Sequence, residues 1–302
     1  MTVNRGGISK VKKVSRKLEP LLYLLPFLVG ILIFTLYPVI NVFLISLKEG
    51  YRILTGAYDS IGLENFQIVL KDPYFLSAFK NTALYVILVV PISTALSIIF
   101  ATLLNQKIKF NGLFQTAYFL PMVTSVTAVG LAWKWMYNYD YGFINYILSI
   151  FNVSPINWLN SAQWGMPALV IYGIWNIMPF TIILLLSGLQ NIDQLYYTAA
   201  KVDGASTLRT FFRITVPLLA PTIGLVLIVN MINAFKVFTE LFPLFNGKPG
   251  VAYSLYTVVY YIYDMFYIKW KLGPAAAAAI ILFAVIFVLT MIQLWIQRKW
   301  KY

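Results

Sequence analysis

The chain has 302 residues, 60% apolar and only 11% charged, with a mean hydropathy of +0.78 and a net charge of +13. Soluble domains are ~45–50% apolar and ~25% charged, so a water-exposed fold is excluded and the bilayer is the natural solvent. Neither Cys nor His occurs, which removes disulfides, thiol nucleophiles, His proton relays and Cys- or His-based zinc sites.

Residues 1–20 form a polar, basic segment with Arg5, Lys10, Lys12, Lys13, Arg16 and Lys17. The uncharged run Leu21–Leu47 follows. It is longer than the ~7–15 apolar residues of a signal peptide and lacks a small-residue cleavage pattern, so it reads as a retained first span. Five further apolar stretches follow, at about 82–104, 113–136, 164–189, 217–239 and 274–296. Each approaches the ~20 residues that cross the hydrocarbon. The expected fold is all-α: residues 21–302 form one polytopic bundle of six transmembrane helices. Lys134 and Lys236 fall inside the third and fifth spans.

Lys and Arg set the orientation. With the N-terminus inside, cytoplasmic segments hold fourteen basic residues against three acidic ones (Glu19, Asp193 and Asp203), and external segments hold seven, matched by acids. The chain therefore reads as N-in/C-in. Its positive charge serves orientation in membrane lipid, and no nucleic-acid partner is expected. Three long external loops, 48–81, 137–163 and 241–273, should carry short interfacial helices.

The cytoplasmic loop at about 190–216 is the most informative segment. Asn191–Val202 is compatible with a helix. Gly204 supplies a turn, and Ser206 is a candidate N-cap for a second helix. That helix carries Leu208 and Phe212 on one face and Arg209 and Arg213 on another. Pro217 then opens the fifth span. Ala199, Ala200 and Ala205 would let another protein approach the elbow closely; a connector lying on lipid headgroups is the alternative.

The stretch Thr198-Ala199-Ala200-Lys201-Val202-Asp203-Gly204-Ala205, followed by Phe212, Ile214 and Pro217, resembles the EAA signature of binding-protein-dependent ABC importer permeases. Gly62-Leu63-Glu64-Asn65-Phe66, Asn81-Thr82, Leu103-Leu104-Asn105, Phe119-Leu120-Pro121, Gly142 with Ile144-Asn145, Trp175, Leu189-Gln190 and the turn at 246–250 are similar to the carbohydrate-uptake branch, of the maltose and glycerol-phosphate first-permease type. The resemblance covers most of the chain from residue 20. Two departures stand out. Thr198 replaces the family's Glu, and Ile214 lies one position from the family spacing.

The resemblance implies a permease subunit of an ATP-driven sugar importer. It would pair with a second permease as a heterodimer, sit over two ATP-binding subunits, and receive sugar from an extracellular solute-binding protein or lipoprotein. It implies coupling to the ATPase through Thr198, Ala199, Ala200, Asp203, Gly204, Ala205, Arg209, Phe212 and Arg213. The same machinery could carry glycerol-phosphate, an acidic sugar or another solute; a non-transporting membrane scaffold is the rival outside transport. No G-x-x-x-x-G-K-[ST] occurs, so ATP and Mg are expected in a separate subunit, and no cofactor or metal in this chain. No span carries an acidic cluster suited to acid–base chemistry, so the chain is not expected to be an enzyme.

A transport path needs polar or aromatic groups facing a cavity within the membrane. The fourth span offers Gly173, Asn176 and Phe180, and the fifth offers Asn230, Met231, Asn233, Phe235, Lys236 and Phe238. Met231, Phe235 and Phe238 would share one helical face. Aromatic rings suit sugar C–H faces, and Asn both donates and accepts. Helix packing is the alternative for each residue. Lys236 either pairs with Glu240 four residues on or draws an anionic sugar into the path. The small-residue row Ser93, Ser97 and Ala101 reads as close helix packing, with the partner permease as a candidate surface.

Overall fold

The structure, a computed structural model, describes residues 23–106 and 111–299. The basic N-terminal segment, Lys107, Lys109 and Lys301 lie outside the described residues. In chain order the elements are α1 (Tyr23–Leu47), a short hairpin of β1 (Lys48–Glu49) and β2 (Ser60–Ile61), α2 (Glu64–Lys71), α3 (Pro73–Leu104), α4 (Asn111–Val123) and α5 (Val126–Met136). Then come α6 (Phe143–Ile150), α7 (Gly165–Gln190), α8 (Gln194–Val202), α9 (Thr207–Phe235), α10 (Leu241–Phe245), α11 (Val258–Ile268) and α12 (Leu272–Lys299).

Five of these helices are long and apolar enough to cross a bilayer unaided: α1, α3, α7, α9 and α12. The expected third span, 113–136, is not one helix. It breaks at Thr124–Ser125 into α4 and α5, which meet at 112°. Pro121 lies in the last turn of α4, and Ser125 enters α5 from extended backbone. Proline removes a helical N–H and pushes on the turn before it; α4 nevertheless runs through Pro121, and the break comes three residues after it.

Contacts between helix ends show that the broken pair still crosses. Gly173 of α7 packs on Tyr85 of α3, and Asn81 of α3 and Gly165 of α7 both reach the 255–256 segment. Thus α3 and α7 start on the same side and run in parallel. The chain between them must return through the membrane, and among the described residues α4–α5 is the one apolar segment there long enough to do so. At the other extreme, Asn65 bonds the end of α1 and lies against Gly273 at the start of α12. The two terminal helices are therefore antiparallel, and both described ends lie on one side. That side carries Lys201, Arg209, Arg213, Arg298 and Lys299 and is the inner side by the Lys/Arg rule.

Two proline sites show how the spanning helices tolerate a missing donor. Leu32–Leu36 and Phe211–Thr215 are π turns, and each is followed two residues later by a proline, Pro38 and Pro217. The widened turn frees the carbonyl that the proline ring would strike. Pro217 therefore does not open the fifth span as expected; the helix runs unbroken through it from Thr207. The second span also starts earlier than expected, at Pro73, where the Asp72 side chain accepts the Tyr74 N–H at 2.9 Å. The row Ser93, Ser97 and Ala101 is fully buried inside this chain, so it packs here and not on a partner.

The external loops fold as a cap stitched by side chains. Asn65 donates to the carbonyls of Ser46 (3.1 Å) and Lys48 (2.9 Å), fastening α2 to the end of α1. Glu49 accepts from the Ser60 hydroxyl and from the Glu64 N–H at 3.1 Å. These bonds, that to Ser60 above all, hold its carboxyl below the usual value. Asn81 donates to the Tyr256 carbonyl at 3.1 Å, and the Thr82 hydroxyl accepts the Val258 N–H at 3.0 Å. Tyr261 donates to Asp72 at 2.8 Å, and Tyr256 donates to Asp264 at 2.6 Å. Burial first, and the adjacent carboxylates second, push both phenols up, so they remain donors. Lys269 closes the set on Asp264 at 2.8 Å.

Asn65→Ala strips the buried Ser46 carbonyl and the half-buried Lys48 carbonyl of their donor, which should lower stability by about 1–3 kcal/mol; a shift in the thermal midpoint of the purified protein measures it. The folded-state pKa of Glu49 is depressed, so its contribution is complete above the ordinary value of 4.5 and is lost as pH falls through the lower folded value. A mobility probe in the 51–58 loop should report loosening of the hairpin only at acidic pH. Glu49→Gln should remove that pH dependence.

Candidate functional site

The inner loop folds as an elbow. Asp193 caps α8 by accepting the Leu195 N–H at 2.9 Å. The helix closes with two reversed bonds, Gly204 N–H to the Lys201 carbonyl (3.1 Å) and Ala205 N–H to the Ala200 carbonyl (2.9 Å). That pair of bonds is a Schellman motif with Gly204 at the left-handed position, φ +70°. The Asp203-Gly204-Ala205 triplet thus encodes a helix stop. Ser206 caps α9 as expected, accepting the Arg209 N–H at 3.3 Å. The Tyr197 and Thr215 hydroxyls meet at 3.3 Å and tie α8 back to α9.

The nine elbow residues do not all face outward. Thr198, Ala199, Asp203, Gly204, Arg209, Phe212 and Arg213 are exposed, whereas Ala205 is half-buried. Ala200 is buried at 5% exposure, which corrects its expected place on the docking surface: it fills the elbow's own interior. A Cβ built on Gly204 meets nothing within 4 Å. The Thr198 hydroxyl donates to the Gln194 carbonyl at 3.1 Å, so it is spent inside its own helix. The sequence reading missed Leu195, Tyr196 and Val202, all exposed, Val202 at 83%. Their signal was present: Leu195, Thr198 and Val202 recur at the i, i+3, i+7 spacing of one helical face. With Leu208 and Phe212 they give the elbow an apolar surface flanked by Lys201, Arg209 and Arg213.

The candidate path residues divide. Asn230 is buried; its amide donates to the Thr181 hydroxyl at 3.0 Å and reaches Thr94 at 3.4 Å. One side chain therefore joins α9 to α7 and α3, and packing is its role. Gly173 is buried, and a Cβ built there would collide with the Tyr85 hydroxyl. Phe235 is also in the core. Phe238 lies beyond the end of α9, so it does not share a helical face with Met231 and Phe235. It packs instead against Phe242 at 5.1 Å and Tyr263 at 5.2 Å. Asn176 and Met231 are half-buried, and Phe180, Asn233 and Lys236 are exposed.

Lys236 is not at mid-span. It caps the C-terminus of α9, where the helix dipole favours a cation. Its expected pairing with Glu240 is absent: that carboxylate accepts the Phe238 N–H (3.0 Å) and faces the Thr239 hydroxyl (3.3 Å). Lys134 reaches the outer turn, donating to Asn246 at 2.6 Å. Where the break in the third span meets α7, Ala117, Tyr118, Pro121, Trp175, Met178 and Pro179 line a cleft of about 200 Å³. Its aromatic walls adjoin Asn176 and Phe180 in sequence. Pro121 faces Pro179 there, a convergence that only the fold reveals.

A membrane-spanning helical bundle with a glycine elbow on its inner side is the architecture of an importer permease. The chain matches, over residues 85–302, the family described as binding-protein-dependent transport system inner membrane component, and it belongs to that family. It is 34% identical to the arabinooligosaccharides transport system permease protein AraP of Bacillus subtilis, over 95% of this chain and 91% of that protein. It is also 34% identical to the trehalose/maltose transport system permease protein MalF of Thermococcus litoralis, over 96% of this chain and 97% of that one. The fold is shared with a subunit of a bacterial ABC transporter that imports the acidic polysaccharide alginate. That match has a TM-score of 0.83 at 23% identity and covers 97% of this chain and 100% of that one.

Two substitutions test the helix contacts. In a double-mutant cycle, Asn230→Ala with Thr181→Val should show a coupling of about 0.6–1.7 kcal/mol; additive losses would remove the node. Gly173→Ala should lower the thermal midpoint. Tyr85→Phe, which removes the struck hydroxyl, should recover part of that loss.

Proposed function

We propose that this chain is one permease subunit of an ATP-driven carbohydrate importer, forming half of the translocation path. Membership of the binding-protein-dependent family and relatives named as arabinooligosaccharide, trehalose/maltose and lactose permeases support this reading. ATP and Mg belong to two separate ATP-binding subunits. A second permease completes the path as a heterodimer, and an extracellular solute-binding protein delivers the sugar. A related alginate transporter has been crystallised with its substrate-loaded periplasmic protein, which supports the last partner.

The observation that carries the coupling role is the elbow. Five large apolar side chains are exposed on the inner side around a glycine-stopped helix, with three cations beside them. A free connector would not keep such a surface in water. The ATPase subunit covers it, and closure of the ATPase dimer moves α8 and, through Tyr197 and Thr215, the base of α9. Alternating access follows as a tilt of the bundle. With Thr198 in place of Glu, the contact at this position carries no charge, and Arg209 and Arg213 supply the elbow's electrostatic term. The exposed ammonium of Lys236 keeps an acidic sugar as the second reading; in that case Lys236→Ala should impair uptake of acidic sugars while sparing neutral ones.

Gly204→Val should uncouple the machine. Its backbone sits at φ +70°, where an L-residue costs about 1–2 kcal/mol, and a β-branched side chain is strained further. In the assembled complex, uptake should fall more steeply than ATP turnover. Unchanged uptake per ATP would falsify the docking role.

A further inference from the structure

The helix α6 on the outer side has no role in the coupling reading. Its eight residues, Phe143–Ile150, carry no charge. Phe143, Tyr146, Ile147 and Ile150 are exposed and recur at helical spacing on one face. Asn145, on the opposite face, is buried and sews the helix down. Its amide donates to the carbonyls of Tyr139 (3.1 Å) and Ile156 (3.0 Å), and its oxygen accepts the Trp158 indole N–H at 3.0 Å. Both flanking loops are thereby fixed to the middle of α6.

The depth of α6 follows from its neighbour. The α7 helix ends on the inner side at Gln190. Counting back about 20 residues, or about 30 Å of hydrocarbon, places the outer boundary near Ala168. Tyr137, at the end of the broken span, donates to the Ala168 carbonyl at 2.8 Å. So α6, which begins six residues later, lies at the level where hydrocarbon meets headgroups. Tyr139 and Tyr141 precede it and Tyr146 lies on it, and all three are exposed; such rings favour that level. Between α5 and α6 lies an open cleft of about 450 Å³ lined by Leu131, Ala132, Trp135, Met136, Tyr141 and Phe143.

We propose that α6 lies flat in the outer leaflet with its apolar face on the acyl chains, and that a lipid acyl chain fills the cleft beside it. The uncharged face is continuous with exposed Leu131 and Trp135 of α5, a surface that the bilayer covers in an inner-membrane protein. An eight-residue helix is too short to span, and a face without charge at this depth suits lipid better than an aqueous partner. The arrangement anchors the outer half of the broken span: α5 cannot shift along the membrane normal without dragging α6 through the headgroups.

The chain contains no cysteine, so single nitroxide labels at Ile147→Cys and Ile150→Cys report position directly. They are placed in the assembled transporter, with cysteine-free partner subunits, in phosphatidylglycerol/phosphatidylethanolamine nanodiscs. Oxygen should relax both labels more than a water-soluble nickel complex does, and the order should reverse at Asp140→Cys, on the exposed turn. Greater nickel access at both helix positions would put α6 in water and overturn the proposal. Low access to both reagents would show cover by the second permease or the binding protein, and would overturn it equally. Ala132→Trp fills the cleft and should abolish a lipid retained through delipidation, read by native mass spectrometry; unchanged retention removes the cleft as a lipid site. Substrate-stimulated ATP hydrolysis by the same labelled complexes tests the transporter reading separately.

Discussion

Three membrane-crossing helices meet at one polar contact, the amide of Asn230 between the hydroxyls of Thr181 and Thr94. Lipid offers no water to a stray polar group, so a polar side chain in the bundle must find its partner within the protein. That requirement gives three otherwise smooth apolar cylinders a definite register. Around it, small residues permit close approach: Ser93 and Ser97 on α3, Gly173 against Tyr85, and Gly188 against Leu219 and Thr222. The result is a packed inner unit of α3, α7 and α9, on which both the elbow and the outer cap are mounted.

The two ends of this unit are built differently. On the outer side, Asn65 and Asn81 bond backbone of other segments of the chain, and Asn145 bonds both loops beside its own helix. Side-chain amides suit this work because they both donate and accept. On the inner side, bonding is local: caps at Asp193 and Ser206, a Schellman stop at Gly204, and one hydroxyl contact back to α9. A cap locked by many long-range bonds resists motion, whereas an elbow held by its own turns can move as a lever. This asymmetry agrees with a machine driven from inside.

The π turns and the broken third span are two different departures from a straight helix. Pro121, Pro38 and Pro217 each lack an N–H. At Pro38 and Pro217 the helix widens and continues; near Pro121 the chain turns by 112°. The turn opens the aromatic cleft against Pro179 and sends α5 toward the outer boundary, where α6 lies along it.

Much of this was legible in the chain itself. Six crossings, their shared inner ends and the elbow with its glycine stop follow from apolar runs, Lys/Arg placement and turn chemistry, because these are local or one-dimensional signals. The motif residues Asn65, Asn81, Thr82 and Asn145 were visible as a family pattern, but their bonding partners, up to 176 residues away, were not. Sidedness along a helix also escaped: Ala200, Gly173, Asn230 and Phe235 turned inward, and Lys236 proved to be a helix cap. An apolar sequence with little amphipathic contrast does not say which face meets protein and which meets lipid. Only packing in three dimensions, where each buried polar group must meet a partner, decides it.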